Sequence, residues 1–183
     1  MARNVTTAEL RGFSVNMQRS ERDTLLKSAT QYGGNSTFLS HSSKDKELVM
    51  GAMEVLKNHG GMVYIDEIDP EMPPYTTDET AELIKRRINQ TKRFVLLTSN
   101  NSKDSRWVPW ELGIADGVKG LGKIALFPAS DSVSDDAWTS WEYLGLYRRI
   151  VWGNLQGHND PLWMVLDHKQ NSAITLRAWL AGN

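Results

Sequence analysis

Short apolar runs alternate with amphipathic stretches through the middle of the chain. Each apolar run has the length of a strand, and turn residues bound it. The predicted strands are Thr37–Ser40, Met62–Asp66, Phe94–Ser99, Ile124–Phe127 and, as a fifth candidate, Ile150–Trp152. Predicted helices lie between them at residues 44–58, 78–90 and 107–116. Near-continuous apolar strands joined by helices are typical of a parallel sheet covered on both faces, so the pattern predicts a doubly wound α/β domain.

The predicted helix ends rest on capping residues. Ser43 is placed to cap the first helix, and a Thr76–Glu79 capping box precedes the second. Gly117 is expected to end the third helix. Ligands bind such sheets outside the carboxyl ends of the strands, so a site is expected near residues 40–43, 66–70 and 99–107.

Residues 1–35 differ in pattern from the rest of the chain. Two capping boxes, Thr6–Glu9 and Ser20–Asp23, predict short helices there, and the Gly33–Gly34 pair ends the segment. We therefore divide the chain into an N-terminal helical arm, residues 1–35, and a domain, residues 36–183. The arm is expected to pack loosely, as terminal segments often do, and a regulatory or assembly role is the alternative.

Composition narrows the classes of protein. The 183 residues are 40% hydrophobic and 23% charged, which is typical of a globular chain, and the net charge of −1 suggests neither nucleic-acid nor membrane binding. Apolar runs of membrane-spanning length and an apolar leader are not present, so a cytoplasmic protein is expected. With no cysteine and with four histidines that lack metal-site spacing, we expect no metal site.

Three segments together carry a family resemblance: Phe38–Asp45, Val63–Asp66 and Ser105–Leu112. In this order and spacing they resemble the first strand and its loop, the second strand, and the W-x-x-x-E helix of a Toll/interleukin-1 receptor (TIR) domain. The resemblance covers about residues 36–155. It implies a flavodoxin-like fold with a five-stranded parallel sheet, in agreement with the hydrophobic pattern.

The resemblance also implies a chemistry. Some TIR domains only bind partners, whereas others cleave the nicotinamide–ribose bond of NAD with the glutamate of W-x-x-x-E, which is Glu111 here. A pKa near 4.3 would leave that carboxylate ionised at neutral pH unless it is buried. Its structural alternative is a carboxylate that merely favours a helix N-terminus. By resemblance, seven further residues would contact the substrate: Phe38, His41, Ser42, Lys44, Asp66, Trp107 and Trp110.

The chain is thus expected to be a bacterial-type TIR enzyme that gives nicotinamide and either ADP-ribose or a cyclic ADP-ribose. NAD is its substrate, and no other cofactor is expected. It resembles TIR components of antiphage systems such as Thoeris, in which a separate effector protein reads the nucleotide signal. The alternatives are a non-catalytic TIR interaction module and another flavodoxin-like N-glycosidase, such as a nucleoside deoxyribosyltransferase.

Self-association is expected through the acidic loop Asp66–Thr77, which corresponds to the BB loop of TIR domains. Three prolines restrict this loop, and Met72 and Tyr75 give it apolar tips. The basic stretch Lys85–Arg93 is interpreted either as a solvated helix face or as the partner of the acidic loop in a neighbouring copy.

Overall fold

A computed structural model describes residues 2–15, 17–132 and 142–182. Its strands are β1 (Val5–Thr6), β2 (Ser36–Ser40), β3 (Met62–Tyr64), β4 (Arg93–Thr98), β5 (Ile124–Ser130), β6 (Arg148–Gly153), β7 (Leu162–Asp167) and β8 (Ser172–Thr175). Its α-helices are α1 (Thr7–Val15), α2 (Arg19–Ser28), α3 (Lys46–Asn58), α4 (Asp78–Gln90), α5 (Trp107–Lys119) and α6 (Leu176–Ala181). None of the helices within these ranges is long and apolar enough to cross a membrane.

The sheet confirms the predicted topology. Strands β3, β2, β4, β5 and β6 lie side by side in that order and are all parallel, which gives the five-stranded doubly wound core. The candidate strand at Ile150–Trp152 is confirmed as the centre of β6. Beyond it the sheet continues into β7 and β8, which are antiparallel and were not predicted. The short β1 pairs with the end of β5.

Each face of the sheet has its own apolar core. Adjacent residues of one strand point to opposite faces, as Phe38 and Leu39 do in β2. One face packs against α1, α2, α3 and α6, and the other packs against α4 and α5. This two-sided burial explains why the strands are apolar throughout rather than alternating with polar residues.

Two predicted caps are displaced by one residue. A 3-10 turn, residues 43–45, precedes α3, and Ser42 rather than Ser43 caps it by accepting from the Lys44 amide. The α4 capping box is formed by Thr77 and Thr80 rather than by Thr76–Glu79. In both cases two neighbouring residues have hydroxyls that could act as the cap. The backbone conformation determines which hydroxyl reaches an unpaired amide.

Helix α5 runs past Gly117 and ends at Gly120, so the predicted end was wrong. Glycine inside a helix costs only about 1 kcal/mol relative to alanine. Gly120 has a φ of 73°, a backbone conformation that favours glycine, and it is therefore the residue that ends the helix.

The N-terminal arm contains the two predicted helices. The Thr6–Glu9 capping box is confirmed, with the Thr6 amide donating to Glu9 at 2.8 Å and the Glu9 amide donating back at 3.1 Å. The second helix is capped instead by Gln18 and Glu21. The Ser20–Asp23 box therefore lies inside the helix that it was expected to start.

The arm is packed onto the domain rather than loose. Leu10 of α1 and Leu25 of α2 are buried in the core on the α3 face. Helix α1 crosses α3 at Gly51, where a Cβ atom would collide with the carbonyl of Leu10. Such close approach is possible only because glycine has no side chain.

Candidate active site

A cleft of about 250 Å³ opens at the carboxyl edge of the sheet, where the sequence predicted a site. It lies between the segment after β2, the turn and loop after β3, and the N-terminal ends of α4 and α5. Its lining combines ionisable groups with the apolar and proline-rich loop: His41, Ser43, Asp66, Glu67, Met72, Pro73, Pro74, Tyr75, Thr76, Thr80, Ile84, Ser105, Trp107 and Glu111. Four of the eight predicted site residues are therefore brought together in this cleft.

Glu111 lies in the second turn of α5 and is only 4% exposed. Its Oε2 atom accepts a hydrogen bond from the hydroxyl of Ser40 at 2.5 Å. Burial raises the pKa of Glu111 well above its usual value, the negative charge of Asp66 raises it further, and the Ser40 hydrogen bond acts in the opposite direction. Glu111 is thus the buried case excepted in the sequence analysis, and its carboxyl group holds a proton more tightly than that of an exposed glutamate.

Trp107 lies one turn before Glu111, and both line the cleft, as their four-residue spacing predicts. Pro109 is accommodated between them because it lies in the first turn of α5, where the amide has no helical partner. The ring of Trp110 meets that of Trp107 edge to face, with centroids 5.1 Å apart. Trp110 is half-buried outside the lining and supports Trp107 from the side.

His41 and Asp66 both line the cleft and interact electrostatically. His41 Nε2 lies 3.3 Å from Oε2 of Glu67, whose other oxygen lies 2.5 Å from Lys46 Nζ. Burial opposes protonation of His41, but the Glu67 hydrogen bond and the Asp66 charge outweigh it, so the pKa of His41 is raised. Burial raises the pKa of Asp66, and the positive charge on His41 counteracts part of that rise. The charges of Asp66 and Glu67 therefore favour the protonated form of His41.

The other predicted contacts lie outside the lining. Phe38 has no exposed surface and is stacked on Phe94 with ring centroids 5.5 Å apart. Ser42 is buried and caps the 3-10 turn, and the exposed Lys44 Nζ lies 3.3 Å from a carboxylate oxygen of Asp104. Phe38, Ser42 and Lys44 make contacts within the protein at these positions. Their roles as substrate contacts stay predictions.

The loop after β3 is anchored by a buried ion pair that the sequence analysis missed. Asp69 Oδ2 accepts from Arg87 Nε at 2.8 Å and from the Tyr64 hydroxyl at 2.6 Å, and the Asp69 and Arg87 side chains are each 1% exposed. Arg87 Nη2 also lies 2.9 Å from Glu71. A signal was present in the sequence, because Arg87 shares helical spacing with Ile84 and Ile88 on the apolar face of α4.

These contacts correct the charge argument for self-association. The acidic loop and the basic helix face each other within one chain, since Glu71 pairs with both Arg86 and Arg87. Their opposite charges are therefore partly satisfied without a second copy. Tyr75 at the loop tip is 79% exposed, so self-association through the loop stays a prediction that now depends on its apolar tip.

The cleft contains no evident metal centre. Within residues 2–15, 17–132 and 142–182, the structure has no group of three or more histidine, aspartate or glutamate side chains that could hold a metal ion.

Comparisons with known proteins agree with the fold. The family model described as TIR domain matches residues 37–162, which is more than half of the chain. The chain is 34% identical over 149 residues to a Bacillus cereus (strain MSX-D12) protein named "Probable 3' cyclic ADP-D-ribose synthase ThsB'", covering 80% of this chain and 75% of that protein. A Cytobacillus dafuensis protein with the provisional name cyclic ADP-D-ribose synthase TIR2 is 30% identical over 89 residues, which cover 47% of this chain and 23% of that protein. The sequence motifs, the doubly wound sheet and the family match agree, and the chain belongs to the TIR domain family.

Proposed function

We propose that the protein cleaves the bond between nicotinamide and ribose in NAD, with Glu111 as its catalytic carboxylate. The observation that carries this proposal is the position of Glu111, a buried carboxylate with a raised pKa that faces a cleft at the carboxyl edge of a parallel sheet. Carboxylates perturbed in this way by burial and by a second carboxyl group are characteristic of functional sites.

The reaction requires one carboxylate. When the bond breaks, positive charge develops on C1′ of the ribose, and nicotinamide leaves as a neutral molecule because its ring nitrogen takes the bonding electrons. The leaving group needs no proton, so the second carboxylate of ordinary glycosidases is unnecessary. An ionised Glu111 facing C1′ would stabilise the developing charge, and its interaction would be strong because the side chain is only 4% exposed.

The raised pKa of Glu111 has a consequence for this mechanism. Its proton must leave before the carboxylate can oppose a cation, and the positive nicotinamide ring of bound NAD favours the ionised form. We therefore expect kcat/KM to increase with pH across the titration of Glu111. Trp107 would stack on a flat group of the substrate at the mouth of the cleft.

We further propose that an atom of the adenosine part of the same molecule, rather than water, captures C1′ and that the product is a cyclic ADP-ribose. The name of the Bacillus cereus relative, "Probable 3' cyclic ADP-D-ribose synthase ThsB'", supports a cyclic product. ADP-ribose is the alternative product and is heavier by one water molecule. In the same proposal the cyclic nucleotide is a signal for a separate effector protein in antiphage defence, and the enzyme acts in the cytoplasm.

The test is to incubate concentrated protein with NAD and to identify the products by liquid chromatography and mass spectrometry. Glu111→Gln is expected to lower the rate of nicotinamide release by at least about 10²- to 10³-fold, because the amide keeps the shape and loses the charge. Glu82→Gln is the matched control, since Glu82 is exposed on α4 and pairs with Lys85 at 2.7 Å. It should keep the wild-type rate.

Each outcome separates the candidate functions. A folded Glu111→Gln protein with wild-type turnover would show that Glu111 is not the catalytic group. A folded wild-type protein that releases no nicotinamide at any concentration would favour a non-catalytic TIR interaction module. Release of a nucleobase from deoxynucleosides, measured in a parallel incubation, would favour a deoxyribosyltransferase.

A further inference from the structure

Glu111 accepts a hydrogen bond from a buried serine that was not among the predicted site residues. Ser40 is the last residue of β2, has no exposed surface, and donates its hydroxyl to Oε2 of Glu111 at 2.5 Å. The two residues are 71 positions apart in the chain, so only the packing of α5 against the sheet brings them together.

We propose that Ser40 is a positioning residue of the active site, which occupies one carboxylate oxygen of Glu111 and directs the other, Oε1, toward the substrate. The inference rests on the proposed function, because it assigns Ser40 a role through the catalytic carboxylate. Oε1 accepts no hydrogen bond from the described residues, and Glu111 itself lines the cleft. Oε1 is therefore the oxygen that is available to face C1′.

The position of Ser40 suits this role. Strand β2 is inside the sheet, between β3 and β4, and Ser40 is paired with Leu96 of β4. Its backbone is thus fixed on the β4 side, whereas the pairing with β3 ends two residues earlier, at Phe38. A glutamate side chain has three rotatable bonds, and a hydrogen bond from a fixed donor limits them without contact with the substrate.

The hydrogen bond also affects the charge of Glu111. A hydroxyl that donates to a carboxylate favours the ionised form, so it counteracts the rise in the pKa of Glu111 that burial and Asp66 cause. The other titratable side chains of the cleft come from the segments after β2 and β3: His41, Asp66, Glu67 and Tyr75. Helix α4 contributes the uncharged Thr80 and Ile84 to the described lining. All of these groups remain when only Ser40 is changed.

The experiment compares pH profiles of kcat/KM for NAD cleavage in wild type, Ser40→Ala and Ser36→Ala. Ser36 is the matched control, because it lies on the same strand, has no exposed surface, and its hydroxyl has no hydrogen-bond partner among the described residues. Ser40→Ala should lower kcat by about 10- to 100-fold at neutral pH, the range for a lost hydrogen bond to a charged group, with KM nearly unchanged. Its acidic limb should move to higher pH, and Ser36→Ala should match wild type.

A second pair of variants separates positioning from packing. Ser40→Thr and Ser40→Val have the same shape and differ only in the hydroxyl, so both carry the same steric cost. Ser40→Thr should keep the wild-type acidic limb, and Ser40→Val should shift it. This pair also tests the role of the Ser40 hydroxyl if Ser40→Ala fails to fold.

The inference is overturned if folded Ser40→Ala keeps the wild-type kcat and pH profile, if Ser36→Ala reproduces its effect, or if Ser40→Thr and Ser40→Val behave alike. Those results, obtained with an active wild type and an inactive Glu111→Gln, would leave the proposed function intact. An inactive wild type would instead contradict the proposed function itself.

Discussion

Replacement of Arg87 by methionine would test whether the buried ion pair positions the loop that forms one wall of the cleft. Methionine has a similar volume, so the change removes the charge and leaves little cavity. It leaves the carboxylate of Asp69, 1% exposed, without its cation. Removal of one partner of a buried ion pair costs about 3–5 kcal/mol, because the remaining charge has neither water nor a counterion.

The lower end of that range applies here. Asp69 keeps the hydrogen bonds from the Tyr64 hydroxyl and from the Glu71 amide, at 2.6 and 2.9 Å. A loss of about 3 kcal/mol in the free energy of unfolding corresponds to a fall in Tm of about 6–12 °C for a chain of this size. Differential scanning calorimetry measures the fall, and the KM for NAD should rise because residues 72–76 line the cleft.

The neighbouring Arg86 provides the matched control. Its side chain is 56% exposed and lies 3.4 Å from Glu71, so Arg86→Met removes a surface ion pair worth at most about 1 kcal/mol. If Arg87→Met and Arg86→Met melt at the same temperature, the buried pair does not stabilise the loop, and the reasoning fails.

The pH dependence of this difference has a definite sign. Burial acts to raise the pKa of Asp69, but the hydrogen bonds from Arg87 and Tyr64 outweigh it, so the pKa is lowered in the folded state. The stabilisation is therefore present above the unfolded pKa, near 3.9, and is lost as the pH falls through the folded value. The gap in Tm between wild type and Arg87→Met should narrow below about pH 4.

Three further predictions concern the site, the loop and the arm. Because burial raises the pKa of Glu111, the stability of the wild type should fall as the pH rises through the folded pKa. The Tm of Glu111→Gln should therefore increase relative to that of the wild type with increasing pH, and a Tm difference that is constant with pH would contradict this. If the exposed tip of the loop mediates self-association, specific activity should rise with protein concentration, and Tyr75→Ala should abolish that rise. Constant specific activity over roughly a hundredfold dilution, with a monomer in light scattering, would refute the prediction. Gly51→Ala should lower the Tm by forcing α1 from α3, whereas Gly113→Ala should not, because no atom of another described element lies within 4 Å of its new Cβ. Equal Tm values would show that the arm packs independently of Gly51.

Glu71→Lys is unsuitable as a test of self-association through the loop. Glu71→Lys would place a cation beside Arg86 and Arg87, which Glu71 contacts within its own chain. A loss of activity would then report damage to the anchor of the loop as much as the loss of a contact between copies. Tyr75 is exposed at the loop tip and makes no ion pair with the described residues, but it also lines the cleft, so the dependence of activity on concentration is the readout that reports self-association.

The central sheet and the position of the cleft could be predicted because they depend on local patterns. The apolar run of β4 and the amphipathic face of α3 are visible in the sequence, and helical spacing alone places Trp107 and Glu111 on one face. The antiparallel β7 was not predicted, although its run Leu162–Leu166 has the composition of a strand.

The hydrogen bond from Ser40 and the ion pair of Arg87 could not be predicted from charge or motif. Both join residues that are distant in the chain, and their partners are fixed only when helices pack on the sheet. The run of bases from Lys85 suggested a solvated surface, yet Arg87 is buried, because consecutive helical residues point in different directions. At Arg87 the helical spacing indicated burial better than the charge did.

The path of the N-terminal arm has a consequence for the order in which the protein acquires its structure during synthesis. The arm joins distant parts of the sheet, since the backbone of Arg3 pairs with Trp152 of β6 at 2.8 and 3.0 Å and the carbonyl of Ala29 accepts from the Ile65 amide beside β3. Residues near the N-terminus leave the ribosome first, but the partner of Arg3 is made much later. Leu10 can contact α3 earlier, but the core that buries it also contains residues of β5 and β6, which are made later. Because contacts between such distant residues slow folding, docking of the arm should be a late step, and a nascent chain that stops before β6 should leave the arm accessible to protease.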